Sequence, residues 1–115
     1  MAIVNITTEN DADFIRQFRY ETISGVPIDL TGNEMEMGIR RRAEDIAQQL
    51  LLTTGNGGIS ITDAPNGKFT IWITNEQLEK LQVGGYEHSL IRIQETGLRL
   101  RIWSGNLTVN AGPTR

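Results

Sequence analysis

The chain has 115 residues, a length typical of one domain, so we treat residues 1–115 as a single folded unit. Eleven Lys and Arg residues against fourteen Asp and Glu residues leave a net charge of −3, whereas nucleic-acid-binding domains usually carry a basic surplus. The absence of cysteine excludes disulfide scaffolds and thiolate chemistry, and a single histidine, His88, excludes a cluster of histidine ligands.

Alternation of apolar and polar residues, the pattern of a half-buried strand, runs through most of the chain. It begins at residues 14–20, where Phe14, Phe18 and Tyr20 share one face. The same period of two recurs at residues 34–41, 68–74, 86–94 and 98–103. Turns rich in Gly, Asn and Pro separate these segments at intervals of about 8–12 residues, which is typical of β-sandwiches and barrels. The sequence therefore predicts an all-β domain.

The phase of these strands also predicts the core. Phe69, Ile71, Tyr86 and Leu90 fall on the apolar side of their strands and are expected to face inward. His88 lies on the same side, between Tyr86 and Leu90. This position favours a hydrogen-bonded structural histidine over a catalytic base.

Two segments depart from the strand pattern. Residues 43–52 carry apolar side chains at helical spacing, but the same residues also fit a strand, and the pattern leaves both open. Residues 75–81 are expected to form a single helical turn, because Thr74 followed by Gln77 fits a capping box.

Three clusters of charged or small residues resemble chemical sites but lack a residue that each site requires. Glu9, Asp11 and Asp13 alternate like calcium ligands, but Phe14 stands where a calcium loop needs glycine. Residues 40–42 are three consecutive arginines followed at once by two acidic residues, which indicates a locally neutralised strand end. Residues 55–58 are glycine-rich but lack the Gly-Lys-Ser/Thr ending of a phosphate loop. We therefore expect no catalytic, cofactor-binding or metal-binding residues, and no enzyme.

The placement of the tryptophans indicates a contact surface. Trp72 and Trp103 are out of phase with the aliphatic side of their own strands. A hairpin through residues 95–97 would place Ile93 near Arg99, and Ile91 near Arg101, on one surface with Trp103. Tryptophan and arginine are enriched in protein interfaces, so a candidate interface is predicted. It consists of Ile91, Ile93, Arg99, Arg101, Trp103 and Trp72. The alternative is a wider core in which residues 43–52 cover this face.

The order of these segments resembles a known family, the small immunoglobulin-like domains of tailed-phage proteins. The best known of these is the N-terminal domain of phage baseplate upper proteins. The resemblance spans about residues 7–109 and rests on turn and core positions rather than on catalytic residues. The segments that carry it are Asp13-Phe14, residues 26–32, residues 57–63, residues 66–69, Leu78 with Leu81, and residues 85–90.

The resemblance implies an immunoglobulin-like sandwich of about seven to nine short antiparallel strands, with residues 43–52 extended and one helical turn near residues 75–81. It also implies a non-enzymatic structural component of the virion, in the head, neck, tail or baseplate, made in the bacterial cytoplasm. The partners would be other phage structural proteins and copies of the chain itself, with no nucleic acid, membrane or cofactor. The alternative is a carbohydrate- or host-receptor-binding module that uses Trp72 or Trp103 as a stacking platform.

Overall fold

The computed structural model describes residues 2–114, which form nine strands, a short α-helix and one 3-10 turn. The strands are β1 (Ala2–Ile3), β2 (Ile6–Glu9), β3 (Phe14–Arg19), β4 (Glu34–Arg40), β5 (Leu50–Thr53), β6 (Ile59–Asp63), β7 (Lys68–Ile73), β8 (Gly84–Ile93) and β9 (Arg99–Asn110). The 3-10 turn (Ala64–Asn66) lies between β6 and β7, and the helix α1 (Asn75–Lys80) follows β7.

The strands form two sheets. The larger sheet has six strands in the order β1-β9-β8-β4-β5, with β2 also paired to β9, and the smaller has three in the order β3-β7-β6. All pairs are antiparallel except those of β1 and β2, which run parallel to β9. The all-β sandwich and its strand number are confirmed, but the expectation of purely antiparallel strands is wrong for β1 and β2.

The core lies between the two sheets, where the alternating side chains of both inner faces meet. Phe69, Ile71, Tyr86 and Leu90 are all buried, as the strand phase predicts. The inner face of β4 contributes Met35, Met37 and Ile39, which are fully buried. Their outward neighbours are exposed or half-buried, so β4 is a strand whose two faces differ sharply in polarity.

The helix α1 begins as its sequence predicts. Thr74 accepts a hydrogen bond from the Gln77 backbone N–H, and the Gln77 side chain accepts one from the Thr74 backbone N–H. This capping box satisfies two N–H groups that the first turn of a helix leaves unpaired. Leu78, on the inner side of the helix, is fully buried and anchors it to the core.

Residues 43–52 are neither the helix nor the continuous strand that the pattern allowed. Only Leu50–Thr53 pair with β4, while residues 41–49 form bends and turns. Arg40 holds this loop, because its guanidinium donates to the carbonyls of Asp45 and Ile46. The loop therefore stands against the outer side of β4 instead of adding a layer.

The corner between α1 and β8 identifies the type of sandwich. The Tyr86 hydroxyl donates to the carbonyl of Gln82 at 2.6 Å, four residues upstream and just before β8. A tyrosine at this corner, a three-stranded sheet packed on the sheet that holds the last two strands, and an extra strand beside β4 are features of immunoglobulin-like domains of the variable type. The domain is an immunoglobulin-like β-sandwich.

Candidate interaction surface

The outer face of the larger sheet brings together four of the six predicted interface residues. Ile93 pairs with Arg99 and Ile91 pairs with Arg101 across β8 and β9. Both isoleucines are half-buried and both arginines are exposed, and no strand between residues 2 and 114 covers them. The predicted register of this hairpin is therefore confirmed.

Strand β4 adds two acidic residues that the sequence analysis did not include. Glu34 pairs with Ile93, and Glu36 pairs with Ile91, on the outer side of β4. Their outward direction was readable from the alternation with Met35 and Met37, but the pairing of β4 with β8 was not, because it joins segments about 55 residues apart along the chain.

The six residues form two cross-strand rows with the same order of chemistry. The first row runs Glu34, Ile93, Arg99, and the second runs Glu36, Ile91, Arg101. Read across the strands, the face is acidic on β4, apolar on β8 and basic on β9. We call these six residues the striped face. Glu36 and Arg99 form one ion pair within it, at 3.4 Å and largely open to solvent.

A third row lies beside the striped face and is built differently. Its centre consists of Gly38, Ser89 and Ser104, which leave a shallow floor. Leu51 on β5 and Ile3 on β1 stand at its two ends and are exposed. This row and its neighbours line a trough of about 640 Å³ on the outer face.

The loop of residues 41–49 closes one end of the trough. The backbone N–H of Ala43 donates to the Glu87 carboxylate, and the Gln48 side chain lies directly over Gly38. The alternative of a wider core covered by residues 43–52 is wrong, because the loop stands over only this end of the face and its Ile46 is exposed. The hydrogen bonds described for this loop go to Arg40, Ile39 and Glu87 rather than to the striped face.

Trp103 is not part of this surface, and its prediction as an interface residue is wrong. It is 4% exposed and packs in the core, with ring-centroid distances of 4.7 Å to Phe18 and 5.8 Å to Phe69. The cause is a bulge in β9, where Leu90 pairs with Trp103 but Ile91 pairs with Arg101. The extra residue, Ile102, reverses the alternation, so the residues on its two sides have opposite phases.

Trp72 is exposed, as predicted, but it belongs to a different surface. It lies on the outer side of the three-stranded sheet, paired with Ile15 and 43% exposed. Its indole N–H donates to Asp13 at 2.9 Å, and the other oxygen of Asp13 accepts from the backbone N–H of Asn75. These two hydrogen bonds lower the pKa of Asp13 below its ordinary value.

His88 is buried, as its position predicts, and its chemistry is that of a neutral core residue. Its Nδ1 accepts a hydrogen bond from the Trp103 indole at 3.3 Å, so the proton of the neutral ring lies on Nε2. Burial lowers the pKa of His88, and this outweighs the carbonyls of Asn106 and Val4, which raise it. Within residues 2–114, Nε2 itself has no hydrogen-bond partner of good geometry.

The three acidic residues near the N-terminus are used separately. Glu9 accepts from the Asn110 side chain, Asp11 from the Thr114 backbone, and Asp13 from Trp72 and Asn75. Across the described residues, no group of three His, Asp or Glu side chains is close enough to hold a metal ion.

The arginine run is divided among structural roles. Arg40 binds the loop carbonyls described above. Arg41 donates to the Gly85 carbonyl and the Gln82 side chain, and its guanidinium lies 4.4 Å from the centre of the Tyr86 ring. Arg41 therefore supports the tyrosine corner.

None of the helices between residues 2 and 114 has the length and apolar character of a membrane span.

No protein-family model and no curated protein sequence matches this chain. Among solved structures it is similar to the PmoD soluble domain from Methylocystis, at 14% identity and a TM-score of 0.48, covering 92% of this chain and 77% of that one. It is also similar to the NK cell receptor NKp44, at 15% identity and a TM-score of 0.49, covering 96% of this chain and 100% of that one. A third similarity is to a VGSC beta subunit, at 8% identity and a TM-score of 0.48, covering 96% of this chain and 93% of that one. At these values the similarities carry no functional assignment.

Proposed function

We propose that the protein is a non-enzymatic docking domain of a tailed-phage particle and that it attaches through the striped face. The observation that carries the docking role is the pair of half-buried isoleucines, Ile91 and Ile93, between charged columns that leave them open. Apolar surface framed by polar residues is typical of protein-contact sites, and arginine is enriched in them. The assignment to a phage particle is supported by the resemblance of residues 7–109 to the phage family.

The experiment is incorporation of tagged variants into particles produced in infected or induced cells. Arg101→Glu reverses a charge on the striped face at an exposed position, so the fold should lose less than about 0.5 kcal/mol. The variant should nevertheless be missing from purified particles, because it places a like or unpaired charge in the contact. Lys80→Glu, on the exposed side of α1, is the matched control and should be incorporated normally.

Normal incorporation of Arg101→Glu would rule out the striped face as the docking surface. Absence of the wild-type protein from intact particles, measured by mass spectrometry, would rule out the structural virion role itself.

A second candidate function is carbohydrate or host-receptor binding through Trp72. The supporting observation is that an exposed indole is held by Asp13, beside Ile15, on the outer side of the smaller sheet. A glycan array tests it. Binding that is lost in Trp72→Ala but kept in Arg101→Glu would favour this function, and an array without any hit would count against it.

A further inference from the structure

We propose that the striped face binds the striped face of a second copy of this chain, about a two-fold axis that runs along β8. This inference rests on the docking face proposed above and names its partner. It follows from two properties of the larger sheet, its strand order and the order of charges across it.

The strand order makes β8 the centre of the sheet. Reading β1-β9-β8-β4-β5, β9 and β4 flank β8 at equal distance, and β1 and β5 lie outside them. When two such sheets meet face to face about an axis along β8, β4 of one copy lies over β9 of the other. The acidic column of one copy (Glu34 and Glu36 on β4) therefore lies over the basic column of the other (Arg99 and Arg101 on β9).

The rows match as well as the columns. Rotation about an axis along β8 leaves positions along the strands unchanged, so Glu36 meets Arg101 of the other copy within the second row. Glu34 meets Arg99 in the first row. Ile91 and Ile93, near the axis, meet their own counterparts. An interface of this kind is isologous, with each charged pair occurring twice.

The charges also exclude the other face-to-face arrangement. An axis perpendicular to the strands would place β4 on β4 and β9 on β9. Glutamates would then meet glutamates and arginines would meet arginines, which is unfavourable when the charges lose water. The ion pair between Glu36 and Arg99 within one chain does not remove this preference, because it is largely exposed and therefore weak.

The third row is compatible with the same axis. Leu51 of one copy would face Ile3 of the other, so the two exposed apolar ends of the row cover each other. Gly38 lies under the Gln48 side chain of its own chain, so the small residues that let the sheets approach in this row are Ser89 and Ser104. Sheets that pack face to face with strands nearly aligned are about 10 Å apart and rotated by about 30°.

The contact ends at the fourth row. There Arg40, Glu87 and Asn106 lie across β4, β8 and β9, and the axis would bring the two Glu87 side chains together. Glu87 already accepts a hydrogen bond from Ala43, in the loop that stands over this end. The loop and the rotation between the sheets separate the copies here, so Glu87→Gln should leave the affinity unchanged.

Charge reversal tests the pairing by sedimentation velocity. We expect the wild-type chain to dimerise, and Arg101→Glu to weaken the dimer by about tenfold or more. A basic variant (Glu34→Lys with Glu36→Lys) and an acidic variant (Arg99→Glu with Arg101→Glu) should each be monomeric. An equimolar mixture of the two should form a dimer. Glu79→Lys and Lys80→Glu, both on α1, are the matched controls and should behave as wild type.

Cross-linking tests the axis without changing any charge. The chain contains no cysteine, so Ile3→Cys and Leu51→Cys introduce unique thiols at exposed positions. A short bismaleimide should link a mixture of these two variants and should not link either variant to itself. Ser60→Cys, on the smaller sheet, mixed with Ile3→Cys controls for random collisions.

A wild-type chain that stays monomeric up to its solubility limit overturns the inference, as does a mixture of basic and acidic variants that forms no dimer. Cross-linking of Leu51→Cys to itself, without a mixed product, overturns the axis. Loss of Arg101→Glu from particles together with a monomeric wild-type protein would reject the self-pairing and leave the docking function standing. A protein that dimerises but is absent from particles would reject the docking function and leave the self-pairing standing.

Discussion

The indole N–H of Trp103 donates to Nδ1 of His88 inside the core, at 3.3 Å. His88 lies two residues after the corner tyrosine, Tyr86, a position that holds the second cysteine of the inter-sheet disulfide in antibody domains. In this chain the sheets are joined there by aromatic packing, since Trp103 on β9 contacts Phe18 on β3 and Phe69 on β7. The two sheets are thus joined at this point by buried aromatic contacts, while the hydrogen bond to His88 holds the indole within the larger sheet.

The first prediction follows from the different placement of the two tryptophans. Trp103→Ala should lower the free energy of unfolding by about 3–5 kcal/mol, because it removes a buried ring and leaves a cavity. Trp72→Ala should cost clearly less, because that ring is 43% exposed. Urea denaturation of both variants measures the difference. Equal losses in the free energy of unfolding would contradict the bulge at Ile102 and would indicate that Trp103 lies at the surface.

The second prediction concerns the pH dependence of stability. The pKa of His88 is lowered in the folded protein, so between that value and the ordinary pKa of about 6.5 the unfolded chain binds more protons than the folded one. Stability is therefore fully present above the ordinary pKa and falls as the pH decreases through this window. The slope is limited to about 1.4 kcal/mol per pH unit, the value for one proton.

Urea denaturation between pH 7 and pH 5 measures this slope. His88→Gln removes the titrating group and should remove most of the slope, although the variant is less stable at every pH. A slope unchanged in His88→Gln would assign the pH dependence to other groups.

Much of the fold could be predicted from alternation and turn residues. Residues 68–74 predict the inward positions of β7 correctly, because that strand is regular and one face is fully buried. The capping box at Thr74 and Gln77 predicts α1 to within one residue, because its signal is local. The hairpin through residues 95–97 gives the register of Ile91 and Ile93 for the same reason.

The errors arose where distant segments decide the local structure. The predicted strand 98–103 extends to Asn110, because residues 104–106 pair with β8 and Ser104 also pairs with β1. The bulge at Ile102 has no signature in the alternation. The acidic column of the striped face depends on pairing β4 with β8, and the loop of residues 41–49 is held by Arg40 and Glu87 from outside it. The pairing of β4 with β8 and the contact of the loop with Glu87 join segments more than 40 residues apart, so no local pattern predicts them.

The third prediction concerns Asp13, which fixes the indole of Trp72 and the start of α1. Its pKa is lowered by the hydrogen bonds from Trp72 and Asn75, so these bonds are intact above the ordinary pKa and are lost as the pH falls through the lowered value. The indole N–H resonance of Trp72 should therefore shift only in strong acid. In Asp13→Ala this resonance should have, at every pH, the chemical shift of an indole N–H that lacks this hydrogen bond. The resonance of Trp103 is an internal control, since its acceptor is His88.

The fourth prediction concerns the tyrosine corner. Tyr86→Phe removes the hydrogen bond to the Gln82 carbonyl while keeping the ring under the Arg41 guanidinium. It should lower the free energy of unfolding by about 1–1.5 kcal/mol, the value of one such hydrogen bond. Arg41→Gln tests the other support of the same corner, and the two effects should be non-additive because both groups hold residues 82–86. Additive losses would show that the two supports act independently.

The last prediction uses two glycines on the paired strands β8 and β9. A Cβ at Gly105 would overlap the backbone carbonyl of Val4, where the chain passes from β1 to β2, whereas a Cβ at Gly85 would meet nothing within 4 Å. Gly105→Ala should therefore cost about 1–3 kcal/mol, the usual effect of overpacking, because a backbone group cannot rotate away as a side chain can. Gly85→Ala should be neutral or stabilising by up to about 1 kcal/mol, because alanine reduces the conformational entropy of the unfolded chain. Thermal unfolding compares the two variants. A neutral Gly105→Ala would contradict the close passage of Val4 over β9 and, with it, the parallel pairing of the first two strands.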